Sequence, residues 1–332
     1  MHRAQWSTVR GFLAVLLVPL LAAALTTALA QTAAKTLHIG ILSSGTHENR
    51  NSLEQSLVQG LRDQGYIEGK NLIIERRYGW SKAKENAAEL AGMKLDAVMT
   101  TCTPSTRIMK DATSLTPIVM AAVSDPVGQG IVTSLAKPGQ NVTGTSSQAE
   151  DLLAKRLELL AGLLPSSRTI AVLTNANNPV HTLSWRRLEV AARALSLNLV
   201  KVEIGKPDEL LAAMESAMQA GPNALFVMPD DPMMFNIRAQ IVEAAAKNRL
   251  PDFYWASQFV EAGGLMSYGE SLRESYHATA AYLDRIVKGA RPGDLPVTQP
   301  TRFEMVINLR TARTLALDVP RPLLMRANSL ID

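Results

Sequence analysis

Small polar and acidic side chains follow the apolar runs of this sequence in both halves of the chain, and two aromatic residues end one of those runs. Hydroxyl and amide groups at such positions can donate hydrogen bonds to a carboxylate, and an aspartate can receive an ammonium group. The combination predicts a site for a small zwitterion such as an amino acid. The candidate ligand-binding residues are Ser43, Ser44, Thr46, Thr101, Cys102, Thr103, Ser124, Asp125, Asn175, Asn177, Asn178, Asp230, Tyr254 and Trp255.

Different candidate residues suit different groups of such a ligand. Asp125 or Asp230 suits an ammonium group, whereas Tyr254 and Trp255 suit an apolar or aromatic ring. Ser, Thr, Asn and Asp shortly before a proline are also typical helix N-caps, so capping explains any single residue as well as binding does. The position that the residues share in both halves of the chain is what favours a binding site.

The apolar runs have the length and continuity of strands in a parallel sheet that helices cover on both faces. Amphipathic segments separate the runs, and they predict helices between the strands. The same order occurs twice along the chain, which predicts an α/β protein of two doubly wound parallel-sheet lobes. The predicted strands cover residues 37–42, 71–76, 96–100, 117–123, 169–173, 198–204, 224–228, 252–255 and 303–307.

The rest of the sequence predicts how the lobes are joined. Lobe 1 is expected to comprise residues 36–145 and about 266–332, and lobe 2 residues 146–265. The last segment has too few elements for a third domain, so the chain is expected to return to lobe 1 through a hinge with at least two crossings. Ligands of parallel α/β sheets bind beyond the carboxyl ends of the strands. The candidate residues would therefore face each other across a cleft.

The first 30 residues have the organisation of a secretory signal peptide. Arg3 and Arg10 lie in a segment without acids, residues 11–25 are almost purely apolar, and Ala28-Leu29-Ala30 is a small-x-small cleavage pattern. Cleavage after Ala30 is favoured over an uncleaved anchor, because the apolar stretch is short for a membrane span and a processing site follows it. The mature chain is therefore expected in the periplasm.

Several function classes lack support in the sequence. The formal net charge is +4 and the basic residues are scattered, so nucleic-acid binding is not expected. Cys102 is the single cysteine, which excludes an internal disulfide, and the histidines lack metal-ligand spacing. The sequence has no nucleophile elbow and no intact phosphate-binding loop. We therefore expect no catalytic activity, no metal and no cofactor.

Long segments of the chain resemble one protein family. They are residues 59–71 (QGLRDQGYIEGKN), 124–128 (SDPVG), 134–144 (SLAKPGQNVTG), 259–269 (FVEAGGLMSYG) and 295–301 (LPVTQPT). The joint pattern is similar to the ABC-transporter substrate-binding family that includes tryptophan/tyrosine-type binding proteins. The resemblance implies a type I periplasmic-binding-protein fold and a role in solute uptake with an ABC-type membrane permease. The sequence departs from the family at Cys102-Thr103-Pro104, where a Gly-Thr-Pro-like turn is usual.

The expected function is capture of a small polar solute, most simply an amino acid and including aromatic ones, by closure of the two lobes of a monomer. One alternative is a periplasmic ligand-sensing module that feeds a membrane receptor. Another is a small-molecule hydrolase or isomerase that uses Asp125 or Asp230, although no base, nucleophile and orienting group converge in recognisable form.

Overall fold

The computed structural model describes residues 36–149, 151–164 and 168–332. The signal peptide predicted for residues 1–30 and its cleavage site lie outside these residues. Within them, no helix combines the length and the apolar character that a membrane crossing requires.

Five parallel strands form the sheet of lobe 1. They are β1 (Leu37–Ser43), β2 (Leu72–Tyr78), β3 (Ala97–Thr100), β4 (Ile118–Ser124) and β5 (Val142–Ser147). Their order in the sheet is β2-β1-β3-β4-β5. β3 and β4 are buried along their whole length, as expected of nearly continuous apolar strands in a sheet covered on both faces.

Seven strands form the sheet of lobe 2. They are β6 (Thr169–Asn175), β7 (Asn198–Ile204), β8 (Ala224–Val227), β9 (Asp252–Tyr254), β10 (Met266–Gly269), β11 (Glu304–Asn308) and β12 (Ser329–Ile331). Their order is β12-β11-β10-β9-β8-β6-β7. Neighbouring strands are parallel except β10 and β11, which are antiparallel.

Helices pack on both sheets, and the predicted two-lobed α/β fold is confirmed. The helices are α1 (His47–Asp63), α2 (Ala83–Gly92), α3 (Thr103–Ala112), α4 (Leu153–Leu163), α5 (Pro179–Ala194), α6 (Leu210–Met218), α7 (Pro232–Asn236), α8 (Arg238–Lys247), α9 (Ser257–Glu261), α10 (Leu272–Val287), α11 (Leu309–Thr314) and α12 (Arg321–Leu324). In α1, Leu53, Leu57 and Leu61 recur at helical spacing and are fully buried in the core.

The C-terminal part of the chain differs from its predicted assignment. The sequence sends residues from about 266 onwards back to lobe 1, but β10, β11 and β12 all join the sheet of lobe 2. The reason is local, since β10 pairs in parallel with β9 across a short connection through α9. The sequence predicts no strand for residues 266–269, which follow Gly263 and Gly264.

Helix α10 does lie on lobe 1, packed along α1. Gly60 permits this close contact, because a Cβ atom there would lie 2.5 Å from the carbonyl oxygen of His277. After α10, the chain continues along lobe 1 as far as Thr298, which pairs with Thr145 of β5. It then returns to lobe 2 for β11.

Three chain crossings therefore connect the lobes. The first runs from β5 to α4, the second from β10 to α10, and the third from Thr298 to β11. We call these segments the first, second and third crossings. The second is only two residues long, Glu270 and Ser271, so it fixes the end of β10 close to the start of α10.

Candidate functional site

A cavity between the two lobes lies at the carboxyl ends of strands from both sheets. The empty space between its walls is about 600 Å³, a volume that includes the open solvent at its mouth. Both lobes and all three crossings contribute residues to its wall. A solute held there would contact the lobes and the hinge together.

Four of the predicted residues line this cavity: Thr101, Cys102, Asp230 and Trp255. Cys102 is the N-cap of α3, and its backbone N–H donates to Ser105 Oγ at 3.2 Å. The residue is 6% exposed. The turn that departs from the family pattern thus places a thiol in the cavity wall at the start of a helix.

Hydrogen bonds between side chains and loops of the described residues join the lobes across the cleft. Thr103 Oγ1 donates to Asp230 Oδ2 at 3.1 Å. Asn236 Nδ2 donates to the carbonyl oxygen of Ser44 at 3.2 Å. Both bonds connect a loop at the end of a lobe 1 strand to lobe 2, so the lobes are closed on each other.

Ser43 and Ser124 are buried and support the loops of lobe 1 from behind the cavity wall. Ser43 Oγ accepts a hydrogen bond from the Thr101 hydroxyl at 3.4 Å. The Ser124 N–H donates to Thr103 Oγ1 at 3.2 Å. These predicted residues hold Thr101 and Thr103 in place, and Thr103 in turn contacts Asp230.

Asn175 and Asn178 lie around Asp231, at the back of the loop that carries Asp230. Their side-chain amides donate to Asp231 Oδ2 at 2.8 and 3.0 Å. Asn178 also donates to the carbonyl oxygen of Asp230 at 3.2 Å and caps α5, and Asp231 caps α7. Asp230 has a left-handed backbone with φ of 57°. The asparagines therefore act in capping and in shaping the loop, the role that the sequence analysis weighed against binding.

Three predicted residues are exposed and lie outside the cavity wall: Thr46, Asp125 and Asn177. Asp125 Oδ1 accepts from the N–H of Gly128 at 2.9 Å and closes the turn after β4. Asn177 donates to the carbonyl oxygen of Gly205 at 3.0 Å. Of the two acids considered for an ammonium group, only Asp230 faces the cavity.

Tyr254 also differs from the expectation, because its ring lies in the core. It is fully buried, its hydroxyl donates to Asp252 Oδ2 at 2.7 Å, and its ring stacks on Phe259 with centroids 4.5 Å apart. Trp255 follows it and lines the cavity. Successive side chains at the end of a strand point to opposite faces, so only one of this pair can reach the cleft.

Arg156 lines the cavity although it is not among the residues predicted from the sequence. It lies on α4 and is 2% exposed. Its Nε donates to the carbonyl oxygen of Tyr268 and its Nη1 to that of Ala149, each at 2.7 Å. Tyr268 belongs to β10 and Ala149 to the first crossing. The guanidinium of Arg156 thus holds the first crossing against β10, the strand that leads into the second crossing.

Glu270 is a second missed residue, and it forms part of the second crossing. Its carboxylate lines the cavity, and Ser275 Oγ donates to it over a long 3.5 Å. The pKa of Glu270 is raised to about 8, chiefly by burial and to a smaller extent by the charge of Asp230, against the opposing charge of Arg156. Glu270 directly follows β10, so recognising that strand would have added this residue to the candidate set.

Ser147 brings an unpaired hydroxyl to the cavity wall at the end of β5. It is 7% exposed, and Oγ has no hydrogen-bond partner among the described residues. Ala122 lines the wall nearby with a left-handed backbone, φ 51°, where the pairing of β4 with β5 shifts register. Buried polar atoms are usually paired, so a solute that bonds to Ser147 would relieve a cost.

The remaining wall is largely aromatic and aliphatic. Trp255 lies beside Phe259, with ring centroids 4.5 Å apart, and Phe235 meets the same ring edge-on. Tyr276 of α10 and Phe303 of the third crossing complete this side of the cavity. The cavity thus combines acids, one buried guanidinium and hydroxyl groups with an aromatic wall. Among residues 36–149, 151–164 and 168–332, no group of three His, Cys, Asp or Glu side chains could hold a metal ion.

Comparison with known proteins gives one consistent result. The family model described as ABC transporter substrate binding protein matches residues 38–331. A tyrosine-binding protein of Clostridioides difficile strain R20291 is 27% identical over 284 residues, which cover 85% of this chain and 81% of that protein. A conserved domain protein from Vibrio cholerae superposes with a TM-score of 0.82 at 28% identity, covering 89% of this chain and 100% of that one.

Two further solved structures bear on the conformation. The ABC domain from Streptococcus pneumonia in complex with L-Trp superposes with a TM-score of 0.81, covering 90% of this chain and 100% of that one. The ligand-free, open structure of a substrate-binding protein with adhesive properties from Clostridium difficile superposes with a TM-score of 0.64, covering 89% of this chain and 99% of that one. Both are 26% identical to this chain. The better match to the complex agrees with the hydrogen bonds that close the cleft here.

Proposed function

We propose that this chain, which belongs to the ABC transporter substrate-binding protein family, captures a free aromatic amino acid between its lobes and delivers it to an ABC-type importer. The solute enters an open cleft, contacts both lobes and the hinge, and stabilises the closed form. It is released unchanged, because the protein binds and does not transform it.

The composition of the cavity wall supports an amino acid as the solute. Asp230 can receive the ammonium group, and the unpaired hydroxyl of Ser147 can donate to the carboxylate. Trp255, Phe235 and Phe303 offer ring contacts to a large side chain. The L-Trp complex and the tyrosine-binding relative described above point to the same class of ligand.

The observation that carries the proposal is the shared wall of the cavity. Residues of lobe 1, lobe 2 and all three crossings surround one space, and bonds from Thr103 and Asn236 already bridge its rim. A solute in this space would bind the closed form more tightly than the open form, and only such a difference in affinity can drive closure.

The test is a thermal-shift and calorimetric screen of the mature protein against L-tyrosine, L-tryptophan, L-phenylalanine, L-alanine, glucose and a nucleoside. A ligand at 100 times its dissociation constant stabilises the native state by about 2.7 kcal/mol. We expect aromatic amino acids to raise the melting temperature most. A shift with glucose or the nucleoside and none with the amino acids would contradict the proposal.

A matched pair of variants places the binding in the cleft. Trp255→Leu removes a ring from the cavity wall, and we expect it to weaken binding of L-tryptophan and L-tyrosine at least tenfold, as expected when a ring contact is lost. Trp185→Leu is the control, because Trp185 lies on α5 of lobe 2 and donates to Glu189 away from the cavity. Equal effects of the two changes would argue against this site.

Export is a separate part of the proposal. Substrate-binding proteins of ABC transporters act outside the cytoplasmic membrane, and residues 1–30 have the signal-peptide pattern. N-terminal sequencing of the periplasmic protein should begin at Gln31, and size-exclusion chromatography should show a monomer. A cytoplasmic chain that retains Met1 would contradict this part alone.

A further inference from the structure

Two acidic residues line the same cavity of the closed cleft, one from lobe 2 and one from the hinge. Asp230 precedes α7, and Glu270 makes up half of the second crossing. Both line the cavity. They lie close enough that the charge of Asp230 raises the pKa of Glu270. Closing the lobes without a cation between these groups leaves like charges together in a partly buried site.

The neighbours of Asp230 and Glu270 distinguish the two acids. Asp230 accepts a hydrogen bond from Thr103 of lobe 1 at 3.1 Å. Glu270 has the long 3.5 Å contact from Ser275 of α10. Arg156 of α4 lowers the pKa of Glu270 without cancelling the rise that burial causes. The charge of Glu270 is therefore the less compensated of the two.

The other residues of the cavity wall add no further positive charge beside Glu270. From lobe 2 the wall brings Asp231, which the asparagine amides already hold. From α10 it brings Tyr276, and from the start of α3 the thiol of Cys102. The third crossing brings the apolar Phe303. The described wall thus carries three carboxylates and one guanidinium.

We propose that Glu270 and Asp230 together receive the ammonium group of the solute, and that Glu270 gives up a proton to the solvent when the solute binds. In the empty closed cleft the Glu270 carboxyl keeps its proton, which removes the repulsion with Asp230. An incoming ammonium group neutralises the repulsion in place of this proton, so the Glu270 O–H bond breaks and the proton leaves to the solvent as H⁺. The inference rests on the proposed function, since it requires an amine-bearing solute.

The pair would select solutes with a free α-amino group. An N-acetylated amino acid has no positive charge to place between the carboxylates, and it would leave Glu270 protonated or the two acids repelling each other. The selection therefore acts through the hinge itself, because Glu270 belongs to a crossing and not to either lobe.

The test is isothermal titration of the mature protein with L-tryptophan and L-tyrosine in two buffers of different ionisation enthalpy. With a pKa of about 8, Glu270 is about 90% protonated at pH 7, so we expect release of about 0.9 proton per solute bound. Affinity should rise about tenfold from pH 6 to pH 7 and level off above pH 8. N-acetyl-L-tyrosine should not bind.

Glu270→Gln should abolish the proton release, flatten the pH profile and weaken binding at pH 8. Glu274→Gln is the matched control, because Glu274 is an exposed acid in the first turn of α10, and it should behave as the wild type. Thermal denaturation verifies that each variant is folded, and the wild-type titration decides the question without any variant.

The outcomes separate the two claims. Binding of L-tryptophan or L-tyrosine with no proton release, or proton release that survives Glu270→Gln, overturns this inference and leaves the proposed function standing. An affinity for N-acetyl-L-tyrosine equal to that for L-tyrosine likewise overturns this inference alone. No binding of any amino acid overturns the proposed function and this inference with it.

Discussion

Replacing Arg156 tests whether one side chain holds the hinge together. Its guanidinium donates to the carbonyl oxygens of Tyr268 and Ala149 at 2.7 Å each, and it is 2% exposed. Each such bond to a charged donor contributes about 1.5–3 kcal/mol, and the carbonyls would be left without this donor. Arg156→Met should therefore lower the free energy of unfolding by about 3–6 kcal/mol. Arg156→Lys keeps the charge but reaches one carbonyl, so about half of that loss is expected.

The assay is urea and thermal denaturation of the mature protein, with L-tryptophan titrations of each variant that folds. A loss of several kcal/mol should lower the melting temperature by about 10 °C for a chain of this size. Arg193→Met is the control, because Arg193 is exposed near the end of α5, and it should change stability by less than about 0.5 kcal/mol. An Arg156→Met protein within 1 kcal/mol of the wild type would refute the reasoning.

Other changes probe the second crossing, the core and the cleft rim. Gly269→Ala would place Cβ 2.0 Å from the Trp255 carbonyl oxygen, so it should lower stability by about 1–3 kcal/mol and weaken solute binding. Gly162→Ala is the control, because a Cβ atom at this position of α4 meets open space; it should raise the free energy of unfolding by up to about 1 kcal/mol. Similar melting temperatures for the Gly269→Ala and Gly162→Ala variants would contradict this expectation. Burial raises the pKa of Asp252 to about 6 from 3.8. The folded state thus holds this proton more tightly than the unfolded state, and the free energy of unfolding should fall by about 2 kcal/mol as pH rises from 4 to 6. Asp252→Asn should remove this fall in stability with pH, as measured by the urea midpoint at each pH. An unchanged fall would show that another group causes it. Asn236→Ala removes one bond across the cleft, and titration should show L-tryptophan binding about three- to tenfold weaker.

The alternation of apolar and amphipathic segments was enough to predict the two α/β lobes. It could not predict which sheet receives the last strands, because pairing of β10 with β9 depends on contacts that no local pattern records. Residues 266–269 follow two glycines and are short, so the sequence predicts no strand there. That single omission misplaced the lobe boundary and also concealed Glu270.

The candidate site was predicted in part for a similar reason. Strand ends located Thr101, Cys102, Asp230 and Trp255 in the cavity wall, since carboxyl ends of parallel strands meet at one edge. The same rule also selected capping residues such as Asn178, because caps and ligand contacts use the same side chains in the same places. Arg156 lies within a leucine-rich helix, where an arginine reads as part of the solvated face. Only the packed structure shows that it is buried.

The central claim is that one solute, held between the lobes, keeps them closed. Small-angle X-ray scattering of the mature protein, with and without saturating L-tryptophan or L-tyrosine, tests it most directly. The account predicts a smaller radius of gyration with the amino acid, and a scattering curve that matches the closed form described here. A curve that does not change while calorimetry records binding would contradict it.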